Sequence, residues 1–245
     1  NETVVFTPNP EILMRASTDQ EFLEILEKAD YLTPDANGLY TASLIEEGSG
    51  FFMAILRTKK KKKSLREKYG ELISGSNLTR DLVEYAIREK KKILMIDNYR
   101  ITEPKNDFEE KKMKIQEKLA ELFAMRFPDL QVDIAFDGEK TPEELAKIIE
   151  AENISYVFSC IGMKEQEKRL VEVWAHLPDA MKVVGLGVGS SFDYLLGLQK
   201  RAPVFFQKLG LEWLYRLVCD PRRRWKRIYT AVVEFPRMIQ KQSKK

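Results

Sequence analysis

The sequence predicts an α/β fold: a mostly parallel sheet flanked by helices, Rossmann-like in plan, with a basic helical appendage at the C-terminal end. Three observations carry that prediction. Short β-branched or apolar runs at Val4 to Thr7, Ile93 to Asp97, Val132 to Phe136, Tyr156 to Ile161 and Lys182 to Leu186 alternate with longer segments of helical period. This is the rhythm of βα units, whose crossovers leave neighbouring strands parallel. Glycines 185, 187 and 189 then lead from the last run into a helix. Finally, the net charge of +3 hides an asymmetry, because Leu198 to Lys245 carries 13 Lys or Arg against Glu212, Asp220 and Glu234. That segment has a net charge of +10, which leaves −7 for residues 1–197. The expected division is a catalytic α/β domain over 1–197 and an appendage over 198–245.

Taken in order, Thr7-Pro8-Asn9-Pro10-Glu11 closes the first strand and opens a helix. Asp19 to Ala29 reads as a helix after a Thr18 cap. Arg57 to Lys68, almost entirely charged around the run Lys59 to Lys63, reads as a solvated or disordered surface loop. Helices follow at Leu78 to Glu89 and Phe108 to Phe127. Another runs from Pro142 to Ala151, where Thr141 and Glu144 form a capping box, and another from Glu165 to Ala175. Pro34-Asp35, Phe127-Pro128 and Asp137-Gly138 mark turns. In the tail, Pro203 begins an apolar helix and Pro221 restarts the chain. Beyond it Trp225, Ile228, Tyr229, Val232 and Val233 interleave with Arg222, Arg223, Arg224, Lys226 and Arg227, the composition of a basic amphipathic helix lying in a headgroup plane. A terminal helix packed on its own domain, or a nucleic-acid contact, would show a similar pattern.

A chain of 245 residues, 44% hydrophobic and 32% charged, can bury one substantial core. Cys160 and Cys219 have neither metal-ligand nor disulfide-framework spacing, which favours a reducing compartment, the cytoplasm. The absence of a long apolar window makes any membrane contact peripheral. The chain opens at Asn1 directly into a strand, so residues upstream are expected to have been removed or left out.

Several motifs can carry chemistry. Thr7 and Asn9 fall at the carboxyl edge of the first strand, where open α/β sheets take ligands. Asp35 sits in the turn of Tyr31-Leu32-Thr33-Pro34-Asp35-Ala36-Asn37-Gly38, placed to act as a general base or simply to make the turn. Gly187, Gly189, Ser190, Ser191 and Asp193 belong to a glycine-rich strand-to-helix loop whose N–H groups suit a diphosphate. Gln166, at another helix start, can bridge substrate groups. His176 reads as a helix-end residue, and no His, Cys or carboxylate cluster has metal spacing.

The order of these motifs resembles glycosyltransferase family 26, the WecG/TagA/CpsF type. The likeness is most specific in Gly187-Val188-Gly189-Ser190-Ser191-Phe192-Asp193-Tyr194, Arg201-Ala202-Pro203, Gly210-Leu211-Glu212-Trp213-Leu214-Tyr215-Arg216-Leu217 and Pro221-Arg222-Arg223 with Lys226-Arg227. Thr7 to Glu11, Pro34-Asp35 with Gly38, and Gln166-Glu167 extend it along the chain. The resemblance implies an inverting enzyme that needs no metal or cofactor. Such an enzyme moves an N-acetylmannosamine-type sugar from a UDP donor to the GlcNAc of a polyprenyl diphosphate lipid, in teichoic acid, capsule or exopolysaccharide assembly. It also implies Asp35 as general base, Thr7, Asn9 and Gln166 as positioning groups, and Asp193 with the Gly187 to Ser191 loop at the nucleotide. The basic tail would dock on an anionic membrane at the inner face and lend Arg216, Arg223, Lys226 and Arg227 to the diphosphate.

The chain departs from the family pattern at Leu72, where an Arg is usual, at Asn77, where an Asp is usual, and at Asp97-Asn98-Tyr99-Arg100. The Lys-rich stretch near 60 reads as an insertion, and Lys226 stands where an Arg is expected. These losses keep open a non-catalytic relative serving an assembly or regulatory role. Nucleic-acid binding by the tail is a third reading, not expected. The aromatic face of the tail would need a membrane or a second protomer to cover it.

Overall fold

Short apolar runs, buried over consecutive positions in β1, β3 and β6, build the strands, and every strand pairing among the described residues is parallel. The computed structural model describes residues 2–98, 108–199, 202–203, 205–206, 212–219 and 221–242; the side chains of some helical positions, Arg216 and Arg223 among them, lie outside that description. Strands β1 (Thr3–Phe6), β2 (Tyr31–Leu32), β3 (Lys92–Asp97), β4 (Gln131–Phe136), β5 (Ile154–Ser159) and β6 (Val184–Gly187) form a six-stranded sheet in the order β2-β1-β6-β5-β3-β4. Ser159 lies opposite Gly187, and Val5 opposite Leu186, so the ends of β5, β6 and β1 come out at one edge.

The helices are α1 (Pro10–Ala16), α2 (Gln20–Glu27), α3 (Gly38–Glu46), α4 (Phe51–Lys60), α5 (Lys62–Tyr69), α6 (Gly75–Arg88) and α7 (Phe108–Arg126). They continue with α8 (Pro142–Ala151), α9 (Glu165–Trp174), α10 (Ser191–Leu195), α11 (Glu212–Cys219) and α12 (Pro221–Tyr229). A π-helical stretch (Thr230–Glu234) then leads into α13 (Phe235–Gln242).

Two compact units share the chain. The sheet unit comprises residues 1–6, 24–32 and 75–199; the second, helical unit comprises 7–23, 33–74 and 200–245. The sheet unit is centred on Ile93, Met95, Phe158 and Leu186, all nearly inaccessible. Phe192 of α10 closes that core against Phe158 and Phe123, with ring centroids 5.3 and 5.6 Å apart. The helical unit packs Tyr40, Ile45, Ala54 and Leu65 against Phe235 and Ile239 of α13. Residues 200–245 therefore belong to a unit that also contains 7–23 and 33–74, and α13 supplies part of its core.

Local chemistry accounts for the agreements and the corrections. The α8 capping box forms as expected: the Thr141 hydroxyl accepts the Glu144 N–H and the Glu144 carboxylate accepts the Thr141 N–H. At α2 the cap is Asp19 rather than Thr18, because Asp19 Oδ1 accepts the Phe22 N–H at 3.2 Å while the Thr18 hydroxyl bonds back to Arg15. The expected charged loop at Arg57 to Lys68 is instead helical, through α4 and α5. Ala54, Thr58 and Leu65 supply a narrow buried stripe that the lysine run masks. Helix α3 buries Tyr40, Thr41, Ala42, Leu44 and Ile45 and so shows no amphipathic period. His176 follows the end of α9, its N–H donated to the Val173 carbonyl. The apolar helix expected from Pro203 is helical at 205–206 and again through α11, while 204 and 207–211 lie outside the described residues, as do Tyr99 and Arg100.

Candidate functional site

In the sheet unit the glycine-rich segment lies at the carboxyl edge, where the last strand turns into α10. Gly189 adopts φ +52, a backbone state that glycine enters without strain. Its N–H is donated to Gln166 Oε1 at 2.9 Å. The Gln166 Nε2 donates to Glu167 Oε1 at 2.6 Å, and Glu167 Oε2 accepts the Lys164 N–H at 2.7 Å. Gly187 makes this contact possible: a Cβ there would stand 3.0 Å from Gln166 Nε2 and 3.2 Å from Glu167 Oε1. The structure thus brings Gln166, Gly187 and Gly189 together, with the Gln166 amide buried and engaged at both ends. The Ser191 hydroxyl donates to the Val188 carbonyl at 2.7 Å. The Asp193 N–H bonds to Ser190, and Asp193 Oδ2 accepts the Gln199 amide at 2.9 Å. Ser190 is half-exposed at the start of α10 and makes no side-chain cap.

Burial pushes the Glu167 carboxyl above the ordinary carboxylate range, against the opposing effect of the N–H donors. In the sequence Glu167 stands out only as the neighbour of Gln166, since nothing in one sequence says that a helix-start glutamate is buried. The loop backbone is strained as well: Lys164 has φ +74, outside the usual region for a residue with a side chain.

In the helical unit Asn9 Oδ1 caps α1 by accepting the Glu11 and Ile12 N–H groups at 2.9 and 3.1 Å. Pro10 opens the helix, and a Cβ on Gly38 would collide with its ring at 2.7 Å. The Asp35 N–H donates to the Pro8 carbonyl at 3.1 Å, which ties the aspartate turn to the Thr7-Pro8-Asn9 segment. Ala36 follows at φ +90, and Ile73 N–H bonds to Pro34 on the other side. Among the described residues, the buried oxygens Thr33 Oγ1 and Asn37 Oδ1, two positions either side of Asp35, have no hydrogen-bond partner. Sequence alone gave no sign of them.

The same unit places a basic side chain beside this segment. Arg227 makes a fork contact with Glu11: its Nε lies 2.8 Å and its Nη2 2.8 Å from Oε2. Lys226 on α12 is exposed, and Trp225 and Tyr229, four residues apart, are 58% and 44% exposed. Leu72, at the position of the missing Arg, packs against the apolar core of the unit. No group of three metal-ligating side chains occurs among the described residues. Among them, too, no helix is long and apolar enough to cross a membrane.

A parallel sheet with a glycine-rich loop at its carboxyl edge defines an α/β protein of the class that takes ligands at that edge. The chain belongs to the glycosyl transferase WecG/TagA/CpsF family, whose sequence model matches residues 1–51 and 60–245. The unmatched residues fall within α4. Similar relatives include the N-acetylglucosaminyldiphosphoundecaprenol N-acetyl-beta-D-mannosaminyltransferase of Bacillus subtilis, 28% identical over 226 residues, which are 92% of this chain and 74% of the relative. The proteins of the same name from Bacillus spizizenii and Staphylococcus aureus are 29% and 25% identical, covering 91% and 93% of this chain and 74% and 75% of theirs.

Proposed function

We propose that the chain is an inverting glycosyltransferase that moves an N-acetylmannosamine-type sugar from a UDP donor to a polyprenyl-diphosphate-linked GlcNAc, without a metal. The observation that carries this reading is the nearly full-length family match, with relatives named for that transfer. In the reaction Asp35 takes the proton of the acceptor hydroxyl, whose oxygen attacks the anomeric carbon from the face opposite the nucleotide. The bond from the anomeric carbon to the diphosphate breaks, and the electron pair leaves on UDP. Thr7, Asn9 and Gln166 are the positioning groups, and Asp193 with Gly187 to Ser191 is assigned to the nucleotide. The charge that develops on the diphosphate calls for cations, a role for Arg216, Arg223, Lys226 and Arg227.

The orphaned oxygens of Thr33 and Asn37 support a polar ligand beside Asp35. Exposed Trp225 and Tyr229 on a helix that also carries exposed Arg222 and Lys226 support docking on an anionic membrane, at its cytoplasmic face. Teichoic acid, capsule or exopolysaccharide assembly are the settings this chemistry fits.

The test is UDP release from a panel of UDP-sugars, with a lipid-diphosphate-GlcNAc acceptor in detergent. Turnover with one donor, falling by about 10²- to 10⁴-fold in Asp35→Asn, is expected for loss of a general base. Leu72 in the apolar core favours a second reading, a non-catalytic relative. An absence of turnover with every donor would select it.

A further inference from the structure

Glu167 is the only acidic side chain that is fully buried among the described residues, 1% exposed. Burying a carboxylate is costly unless its oxygens are matched by donors. One oxygen is spent on capping α9, where Glu167 occupies the third helical position and accepts the Lys164 N–H. That duty does not require burial. Glu144 caps α8 in the same way from an exposed position, and there its pKa falls rather than rises.

The second oxygen distinguishes the two glutamates. Glu167 Oε1 accepts from the Gln166 amide, which orients that amide with Nε2 toward Glu167 and Oε1 toward the Gly189 N–H. The opposite amide orientation would set an NH₂ group against the Gly189 N–H. Gly187 leaves room for this arrangement, since a Cβ there would crowd Gln166 Nε2 and Glu167 Oε1.

We propose that Glu167 is a positioning residue that acts through Gln166: it fixes the amide that holds Gly189, and so sets the shape of the Gly187 to Ser191 loop. This rests on the reading that the loop receives a nucleoside diphosphate. In Glu167→Gln one accepting oxygen becomes a donor facing an N–H, and the chain of contacts breaks without a change in side-chain size.

The experiment measures UDP affinity by calorimetry, and amide exchange at Gly189 by NMR. The variants are Glu167→Gln, Gln166→Met, the double variant, and Glu144→Gln as a capping control. Glu167→Gln is expected to weaken UDP about tenfold, the scale of a buried polar group left without its hydrogen-bond partner. It should also raise the donor KM, leave the acceptor KM within about twofold, and speed exchange at Gly189. The double variant should lose no more than Gln166→Met alone, because the two residues act as one unit, and Glu144→Gln should bind UDP as the wild type does. Wild-type UDP affinity and Gly189 exchange in Glu167→Gln, or additive losses in the double variant, would overturn the proposal. If the wild type itself binds no UDP, the donor reading fails, and Gly189 exchange alone then decides the role of Glu167.

Discussion

Asp35, Gln166 and Glu167 show how much a residue's surroundings add to its type. Asp35 was legible because Pro34, Asp35 and Gly38 spell a turn, and the turn forms with its N–H on Pro8. The unpartnered Thr33 and Asn37 oxygens beside it were not legible, since hydrogen-bond satisfaction is a property of packing. Gln166 was legible as a helix-start polar group, whereas the burial of Glu167 was not. That burial has a consequence for pH. A carboxyl whose folded pKa is raised makes its full contribution to stability below the ordinary value of 4.5, and loses it as pH rises through the raised value. Glu167→Gln has no such titration. The melting temperature of the variant relative to wild type is therefore expected to climb as pH increases from about 4.5 upward, and a pH series of thermal unfolding curves checks it. The Glu11–Arg227 fork, with Arg227 58% exposed, is a weaker element. Glu11→Gln should cost no more than about 1 kcal/mol in urea unfolding.

At the scale of elements, the strands and the capped helices followed from the sequence because their signals are local. β3, β4 and β5 arise from apolar runs, and α8 begins at its capping box. The elements that the sequence did not signal owe their form to tertiary contacts. Helix α3 is buried on too many sides to show a period, and the lysines of α4 and α5 hide the stripe Ala54, Thr58 and Leu65. The central strand β6 needs glycine at 185, where a Cβ would stand 2.5 Å from the rigid Trp174 ring of α9. Gly185→Ala should destabilise by about 1–3 kcal/mol, read from the midpoint of denaturant unfolding. Phe235, 2% exposed, anchors α13 in the helical core, and Phe235→Ala is expected to cost about 3–5 kcal/mol. Cutting the chain before Pro221 would remove that anchor together with the basic helix, so surface substitutions are the cleaner test of the tail.

At the scale of the molecule, the basic tail shares its unit with two segments of the acidic part of the chain, 7–23 and 33–74. The acidic majority of the chain also supplies the sheet, and the basic tail contributes to the helical unit that holds Asp35. The sequence pointed to a separate appendage from residue 198. Which segments it would cluster with could not be read there, because the partners of α13 in α3 and α4 lie almost 200 residues upstream. If exposed Trp225, Lys226 and Tyr229 dock on acidic headgroups, Trp225→Glu with Lys226→Glu should sharply reduce sedimentation with phosphatidylglycerol vesicles, each lost cation removing about 1 kcal/mol. Unchanged sedimentation in the variant would place the membrane contact elsewhere.

Sugar transfer to a lipid-linked acceptor would leave its mark on the acceptor itself, which mass spectrometry reads. Incubation with a UDP-N-acetylhexosamine panel should lengthen the lipid-diphosphate-GlcNAc by one sugar for one donor, with that product forming about 10²- to 10⁴-fold more slowly in Asp35→Asn. An acceptor unchanged in mass with every donor, under conditions in which the Bacillus subtilis relative extends it, would contradict the account.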